Sequence, residues 1–144
     1  MRRNFLWLVL LGGVLVVLAV IWQAFTMAAY VRGAGEGALD AHGAGSLFVH
    51  LGQLAVVIGA IVAYWGNWRA VGLALGFLVL SIAQLAFLGD TDEQGDWVNG
   101  LHGALALVVL LAGLAYAMKA RQELGVWGAS GRAATPVVPD ELDR

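Results

Sequence analysis

Long apolar runs separated by short polar connections dominate this chain. The first run extends from Phe5 to Ala29 and carries no charge. At about 1.5 Å per helical residue it reaches roughly 37 Å, enough to cross the ~30 Å hydrocarbon layer of a membrane. Three further runs follow at 46–66, 70–89 and 97–118. The pattern predicts an all-α protein with four membrane-spanning helices over 5–29, 46–66, 70–89 and 97–118.

The connections predict how these helices are arranged. The first run exceeds the ~7 to 15 apolar residues of a signal peptide and no A-x-A cleavage site follows it, so we expect it to be retained as a helix. The turn at 67–69 is so short that the third helix must return beside the second. We therefore predict an up-down-up-down four-helix bundle over residues 1–121, followed by a largely disordered cytoplasmic tail at 122–144.

Composition supports a membrane protein and narrows its chemistry. Hydrophobic residues make up 60% of the chain and charged residues 12%, against about a quarter charged in soluble domains. Cysteine is absent, which excludes disulfides, iron–sulfur clusters, covalently attached haem and thiolate zinc sites. The chain has no H-E-x-x-H, P-loop or G-x-S-x-G motif and no basic patch for nucleic acid. The sequence carries no independent catalytic motif, and whether the chain is an enzyme stays open.

The basic residues predict the orientation in the membrane. Seven of the eight fall on one predicted side, with Arg32 alone on the other among acidic residues. Because basic residues are enriched on the cytoplasmic side, we expect a multi-pass protein of the plasma membrane with both termini in the cytoplasm. The seven are Arg2, Arg3, Arg69, Lys119, Arg121, Arg132 and Arg144.

Each predicted helix carries polar residues near its outer end. An ionisable side chain inside the hydrocarbon layer is costly and marks a functional site by default, so the histidines are the strongest signal. Counted from the predicted outer ends, all of these residues form one polar layer. Its members are Gln23, Thr26, His50, Gln53, Ser81, Gln84, Asn99 and His102.

His50 and His102 are predicted at the same depth on two helices that point the same way. In a four-helix bundle those helices face each other across a diagonal of about 11 to 14 Å, which two imidazoles and an iron atom fill. We therefore predict one b-type haem near the outer face, with His50 and His102 as the metal ligands. Gln23, Gln53 or Gln84 would orient an imidazole or meet a haem propionate.

Two alternatives remain open. Polar side chains also join membrane helices by hydrogen bonds, and the chain could then be a cofactor-free accessory subunit that contacts a partner through Gly72 and Gly76. A copper or other metal site could instead use His42, His50 and His102. On its own, His42 is expected to be a solvated histidine of the loop before the second helix. Residues 37–46 could alternatively extend that helix, which would put His42 on a face similar to that of His50.

A resemblance carries the interpretation further. The helices carry four recognisable features, which are Gln23 with Phe25, the run 50–52 (His-Leu-Gly), Gln84, and Leu101 with His102. In these features the chain resembles a group of small, functionally uncharacterised bacterial four-helix membrane proteins. The likeness covers residues 5–118. More loosely, the chain resembles membrane b-type cytochromes, in which paired helices supply two histidines to a haem.

These observations predict a function and its partners. A haem with both axial positions filled exchanges electrons rather than binding a gas, so we expect electron transfer or a haem-bearing subunit of a redox complex. The expected partners are the lipid bilayer, other membrane subunits or a second copy of the chain, and a quinone or an extracytoplasmic redox protein. No specific residue marks a quinone site.

Overall fold

The computed structural model describes residues 1–85 and 96–126, and in these two ranges the protein is helical and contains no strand. Four α-helices are present, as the sequence predicts. They are α1 (Arg2–Ala29), α2 (Glu36–Ala63), α3 (Trp68–Leu85) and α4 (Asp96–Leu124). All four contain segments long and apolar enough to cross a membrane.

The second helix begins ten residues earlier than predicted. A π-helical stretch, Tyr30–Ala34, follows α1 and ends where Gly33 and Gly35 take positive φ angles of 90° and 82°. Glycine adopts this conformation without steric cost, so the chain reverses here and α2 starts at Glu36. The expectation that His42 is a loop residue is therefore wrong, because it lies inside α2 and is half-buried.

Parts of several predictions fall outside the described residues. These are the end of the third predicted helix at 86–89, the acidic loop at 90–95 and the tail from 127 to 144. The side chains of Asp96, Trp97 and Asn99 are also outside the description. At the other end of α4, the helix continues to Leu124, six residues beyond the predicted Met118.

Glycines bring α1 and α2 into backbone contact. A Cβ atom added to Gly12 would lie 2.7 Å from the carbonyl oxygen of Gly52, and one added to Gly59 would lie 2.9 Å from that of Phe5. Low residue numbers in α1 thus meet high numbers in α2, and the two helices are antiparallel. Small residues at such contacts are typical of membrane helices, where close approach gives the packing energy.

Glycines also bring α1 and α4 into backbone contact. A Cβ atom at Gly13 would lie 2.6 Å from the Gly113 oxygen and 2.9 Å from the Ala117 nitrogen. At the end of the bundle, the Arg2 guanidinium forms an ion pair with Glu123. Its Nε donates a hydrogen bond to the carbonyl oxygen of Ala63 at 3.0 Å. Helix α4 is therefore antiparallel to α1 and runs in the same direction as α2.

Helix α3 packs against α2 and α4 through polar and aromatic contacts instead. Gln53 donates a hydrogen bond to the Phe77 oxygen at 3.1 Å, and the Tyr116 hydroxyl donates to the Ala70 oxygen at 3.1 Å. The rings of Phe77 and Tyr116 stack with centroids 5.9 Å apart. An added Cβ atom at Gly72 would meet nothing within 4 Å. Gly72 therefore makes no close contact with another helix of the described chain, and its contact with a partner subunit stays a prediction.

Candidate functional site

The glycine contacts show which residues share a level along the bundle. Gly52 touches Gly12 and Val16, so His50, two residues further toward the start of α2, is level with about residue 16 of α1. Gly113 touches Gly13 and Val16. His102 lies eleven residues earlier in α4, which makes it level with about residue 25 of α1.

His50 and His102 are therefore not at the same depth. Their levels differ by about nine residues, or roughly 10 to 13 Å once helix crossing is allowed for. Added to a bundle diagonal of about 11 to 14 Å, this offset puts their Cα atoms roughly 15 to 19 Å apart. Two histidines on one metal ion need Cα atoms within about 13 Å. The matched depth on which their pairing depends is not found.

His42 is the histidine level with His102. It lies six residues after Glu36, the first residue of α2, and His102 lies six residues after Asp96, the first residue of α4. The contacts agree, because the Gln23 side-chain amide donates a hydrogen bond to the His42 carbonyl oxygen at 3.2 Å, near the end of α1. His42 and His102 thus lie on two parallel helices at about one level, and both are half-buried.

Both side chains lie on the helix faces that meet α1. The His42 Nδ1 atom is 2.9 Å from the carbonyl oxygen of Gln23 in α1. His102 lies on the same stripe of α4 as the buried Val109 and as Gly113, which contacts α1, since spacings of seven and eleven residues return to one helix face. Gln23 is seven residues from Val16, which touches both α2 and α4, so it faces the space between these helices.

The hydrogen bonds set the chemistry of the two rings. A backbone carbonyl only accepts, so the Nδ1 of His42 carries the proton and its Nε2 keeps a free lone pair. The Nδ1 of His102 is buried and has no hydrogen-bond partner among the described residues. A buried polar atom without a partner costs free energy unless a bound group satisfies it. Both rings therefore fit a role as metal or cofactor ligands.

His50 belongs to a second polar group. Its Nδ1 lies 3.3 Å from the Oε1 atom of Gln53, which is fully buried and hydrogen-bonded to α3 through its Nε2. The buried Ser81 lies four residues beyond Phe77 in α3 and so is close to the level of His50. Gln84, also buried, follows about one turn further. The predicted single polar layer is thus divided between two levels.

The predicted three-histidine metal site is not formed. Within residues 1–85 and 96–126, no group of three or more His, Asp or Glu side chains is placed to hold a metal ion. The absence of such a group does not exclude a haem, because a haem needs only two histidines. The sequence could have indicated a role for His42. If residues 36–45 are helical, this histidine lies on the face of α2 that contacts α1.

The opposite end of the bundle carries a charged cluster. The Nζ atom of Lys119 lies 3.3 Å from Glu123 and 5.1 Å from the ring centre of Tyr64, while Glu123 also pairs with Arg2. Burial of the Tyr64 hydroxyl, followed by the charge of Glu123, raises its pKa to about 12. This cluster ties the first residues of α1 to the last turns of α2 and α4, and it groups basic residues at one end.

Comparisons with protein-family models, with characterised proteins and with solved structures found no match to this chain. The resemblance to small bacterial four-helix membrane proteins therefore stays a prediction.

Proposed function

We propose that this chain is an integral protein of the plasma membrane, an up-down-up-down bundle with both termini in the cytoplasm. Four helices of sufficient length and apolarity support this, together with large apolar side chains such as Leu11, Leu18 and Phe25 that are more than half exposed on the outside of the bundle. In water such a surface would be unfavourable, whereas lipid covers it at no cost. The basic cluster around Arg2 and Lys119 then faces the cytoplasm.

The bundle would hold one b-type haem at its outer end through His42 and His102. The observation that carries this proposal is the shared level of these two half-buried histidines on parallel helices. Compared with the ligand pair predicted from the sequence, this assignment replaces His50 by His42 and keeps His102. Gln23 acts as a positioning residue, since its amide and its carbonyl oxygen both hold His42 against α1.

Electron transfer is the function that this arrangement supports. A haem iron with two histidine ligands supplies one-electron chemistry and has no open position for a substrate. The carbonyl oxygen of Gln23 holds the Nδ1 of His42, whereas the buried Nδ1 of His102 has no partner among the described residues. Because the site lies at the outer end, the expected redox partner is an extracytoplasmic protein or another membrane subunit.

An absorption spectrum of the purified, detergent-solubilised protein tests the proposal. We expect a Soret band with the sharp α band of a low-spin b-type haem in the reduced protein. His42→Ala and His102→Ala should each abolish or shift that spectrum. His50→Ala, a change of the same type eight residues along α2, should leave it unchanged and is the matched control. A colourless protein, or a band lost with His50→Ala and kept with His42→Ala, would contradict the assignment.

A second candidate function rests on α3. Gly72 and Gly76 are exposed, and a Cβ atom at either position would meet nothing within 4 Å, so this face is open to another helix. The chain would then be a cofactor-free accessory subunit of a larger membrane complex. This function predicts a colourless protein that co-purifies with a fixed partner and loses it on Gly72→Leu.

A further inference from the structure

The turn between α2 and α3, residues 64–67, lies at the end of the bundle away from the proposed haem site. Trp65 and Trp68 are 72% and 64% exposed, and their ring centroids lie 5.5 Å apart at an angle of 59°. Gly66, with a φ angle of 88°, reverses the chain between them. Tryptophan is enriched where the hydrocarbon layer meets the lipid headgroups, because its ring is apolar and its N–H group is polar. The pair therefore indicates that this turn lies at the headgroup level of the proposed membrane.

Arg69 supplies a positive charge directly after the two tryptophans. It follows Trp68 in the first turn of α3 and is exposed. Its guanidinium makes no hydrogen bond or ion pair with any residue that the structure describes. Neither residues 64–67 nor the first turn of α3 contains an acidic residue. Since a guanidinium presents two parallel N–H donors that match the oxygens of a phosphate group, Arg69 is suited to hold the phosphate of a lipid headgroup.

Helix α4 brings a second positive charge to the same turn. The Tyr116 hydroxyl donates a hydrogen bond to the carbonyl oxygen of Ala70, the residue after Arg69. About one turn further along α4, the Nζ atom of Lys119 lies 5.1 Å from the ring centre of Tyr64, the first residue of the turn. Lys119 and Arg69 therefore both lie next to the turn, one contributed by α4 and one by α3.

The charges at this end of the bundle do not balance. Glu123 is the one acidic side chain there within residues 1–85 and 96–126, and it already pairs with Arg2 and Lys119. Each basic side chain near an anionic membrane surface strengthens binding by about fivefold. A lipid with a net negative charge is therefore favoured over a zwitterionic one, whose choline group cancels the charge of its phosphate. The basic side chains at this end are Arg2, Arg3, Arg69, Lys119 and Arg121.

We propose that the α2–α3 turn binds the headgroup of an anionic phospholipid. Arg69 donates hydrogen bonds to the phosphate, Trp65 and Trp68 lie beside the glycerol ester groups, and Lys119 adds positive charge. The acyl chains lie along the exposed apolar side chains of α3, such as Leu73, one turn beyond Arg69 on the same face. This contact makes a lipid, and not free phosphate, the ligand. The inference rests on the proposed location in the membrane and is independent of the proposed haem.

Native mass spectrometry of the full-length protein, released from detergent micelles, tests this assignment. The protein is titrated with dioleoyl phosphatidylglycerol and, separately, with dioleoyl phosphatidylcholine, which has the same acyl chains but no net charge. We expect phosphatidylglycerol to bind at least about fivefold more tightly, and excess inorganic phosphate should not displace it. Equal affinity for the two lipids, or displacement by phosphate, would overturn the lipid site alone. A protein that stays soluble without detergent would refute the proposed membrane location as well.

Variants locate the site. Arg69→Gln should lower phosphatidylglycerol affinity about fivefold and leave phosphatidylcholine affinity unchanged, because only the charged contact is lost. Arg32→Gln, the same change at an exposed arginine of the opposite end, is the matched control and should keep the wild-type preference. His42→Ala should also keep it, which separates this site from the haem site. Unchanged binding by a folded Arg69→Gln protein, or an equal loss with Arg32→Gln, would refute the assignment, and helical circular dichroism checks the folding.

Discussion

Gly13→Ala tests the contact that sets the level of His102. The added methyl group would lie 2.6 Å from the Gly113 oxygen and 2.9 Å from the Ala117 nitrogen, about 1 Å closer than heavy atoms normally pack. Both are backbone atoms, so no side chain can turn aside and α1 must move away from α4. Overpacking of this kind costs about 1 to 3 kcal/mol.

Gly72→Ala is the matched control, because the same methyl group at Gly72 meets nothing within 4 Å. Both glycines lie inside helices, so the gain in helix propensity of up to about 1 kcal/mol is common to the two variants and cancels in their difference. We therefore expect Gly13→Ala to be less stable than Gly72→Ala by about 1 to 3 kcal/mol in unfolding free energy.

Unfolding in mixed micelles of mild detergent and dodecyl sulfate, followed by helical circular dichroism, measures this difference. If α1 and α4 meet at Gly13, the transition of Gly13→Ala shifts to lower dodecyl sulfate while that of Gly72→Ala stays or rises. Equal shifts would refute the contact and, with it, the register that puts His102 level with His42. Haem retention should fall in Gly13→Ala as well, since the two ligand helices are displaced.

Three further outcomes follow from the charged cluster around Arg2 and Glu123 and from α3. Tyr64→Phe should leave the free energy of unfolding unchanged or raise it slightly, because the Tyr64 hydroxyl is buried without a partner among the described residues. The variant should also lose the absorbance change near 295 nm that ionisation of Tyr64 produces at about pH 12. The raised pKa means that wild-type stability is full below about pH 10 and falls toward pH 12, and Tyr64→Phe should lose this component of the fall. Glu123→Gln should lower unfolding free energy by less than about 1 kcal/mol, a loss that vanishes at high salt, because its ion pairs with Arg2 and Lys119 are partly exposed. Gly72→Leu should leave stability unchanged but reduce any co-purifying membrane partner, as measured by quantitative mass spectrometry.

The number and order of the helices could be predicted because each apolar run is long enough to be unambiguous. The structure puts Arg2 and Lys119 at one end of the bundle, where both pair with Glu123. The orientation that the charge asymmetry indicates stays a prediction. The spacing of Gly72 and Gly76 predicts a contact with a partner, and since both positions are open in the structure that contact stays a prediction. Small-residue spacing indicates that two helices can approach closely, but the contacts within this chain form at other glycines, such as Gly13 and Gly52.

The depth of the histidines was the part that the sequence could not supply. Counting from the end of an apolar run assumes that the helix ends where the apolar residues end. Helix α2 instead continues through Asp40 and His42 to Glu36, because small residues at 37–45 are compatible with a helix and the reversal occurs at Gly33 and Gly35. The count for His50 was therefore wrong by about ten residues, while the start of the fourth helix was displaced by only one.

The two levels of polar residues also differ in how firmly the protein holds them. His42 and His102 lie on helices that are locked to α1 by backbone contacts at Gly52 and Gly113, so their spacing is fixed before any cofactor binds. Preorganised ligands of this kind suit a permanent prosthetic group. His50 instead belongs to a separate polar group, in which its Nδ1 meets Gln53 and Gln53 donates to the Phe77 oxygen of α3. The packing therefore favours His42 and His102, rather than His50, as the residues that would hold the proposed haem.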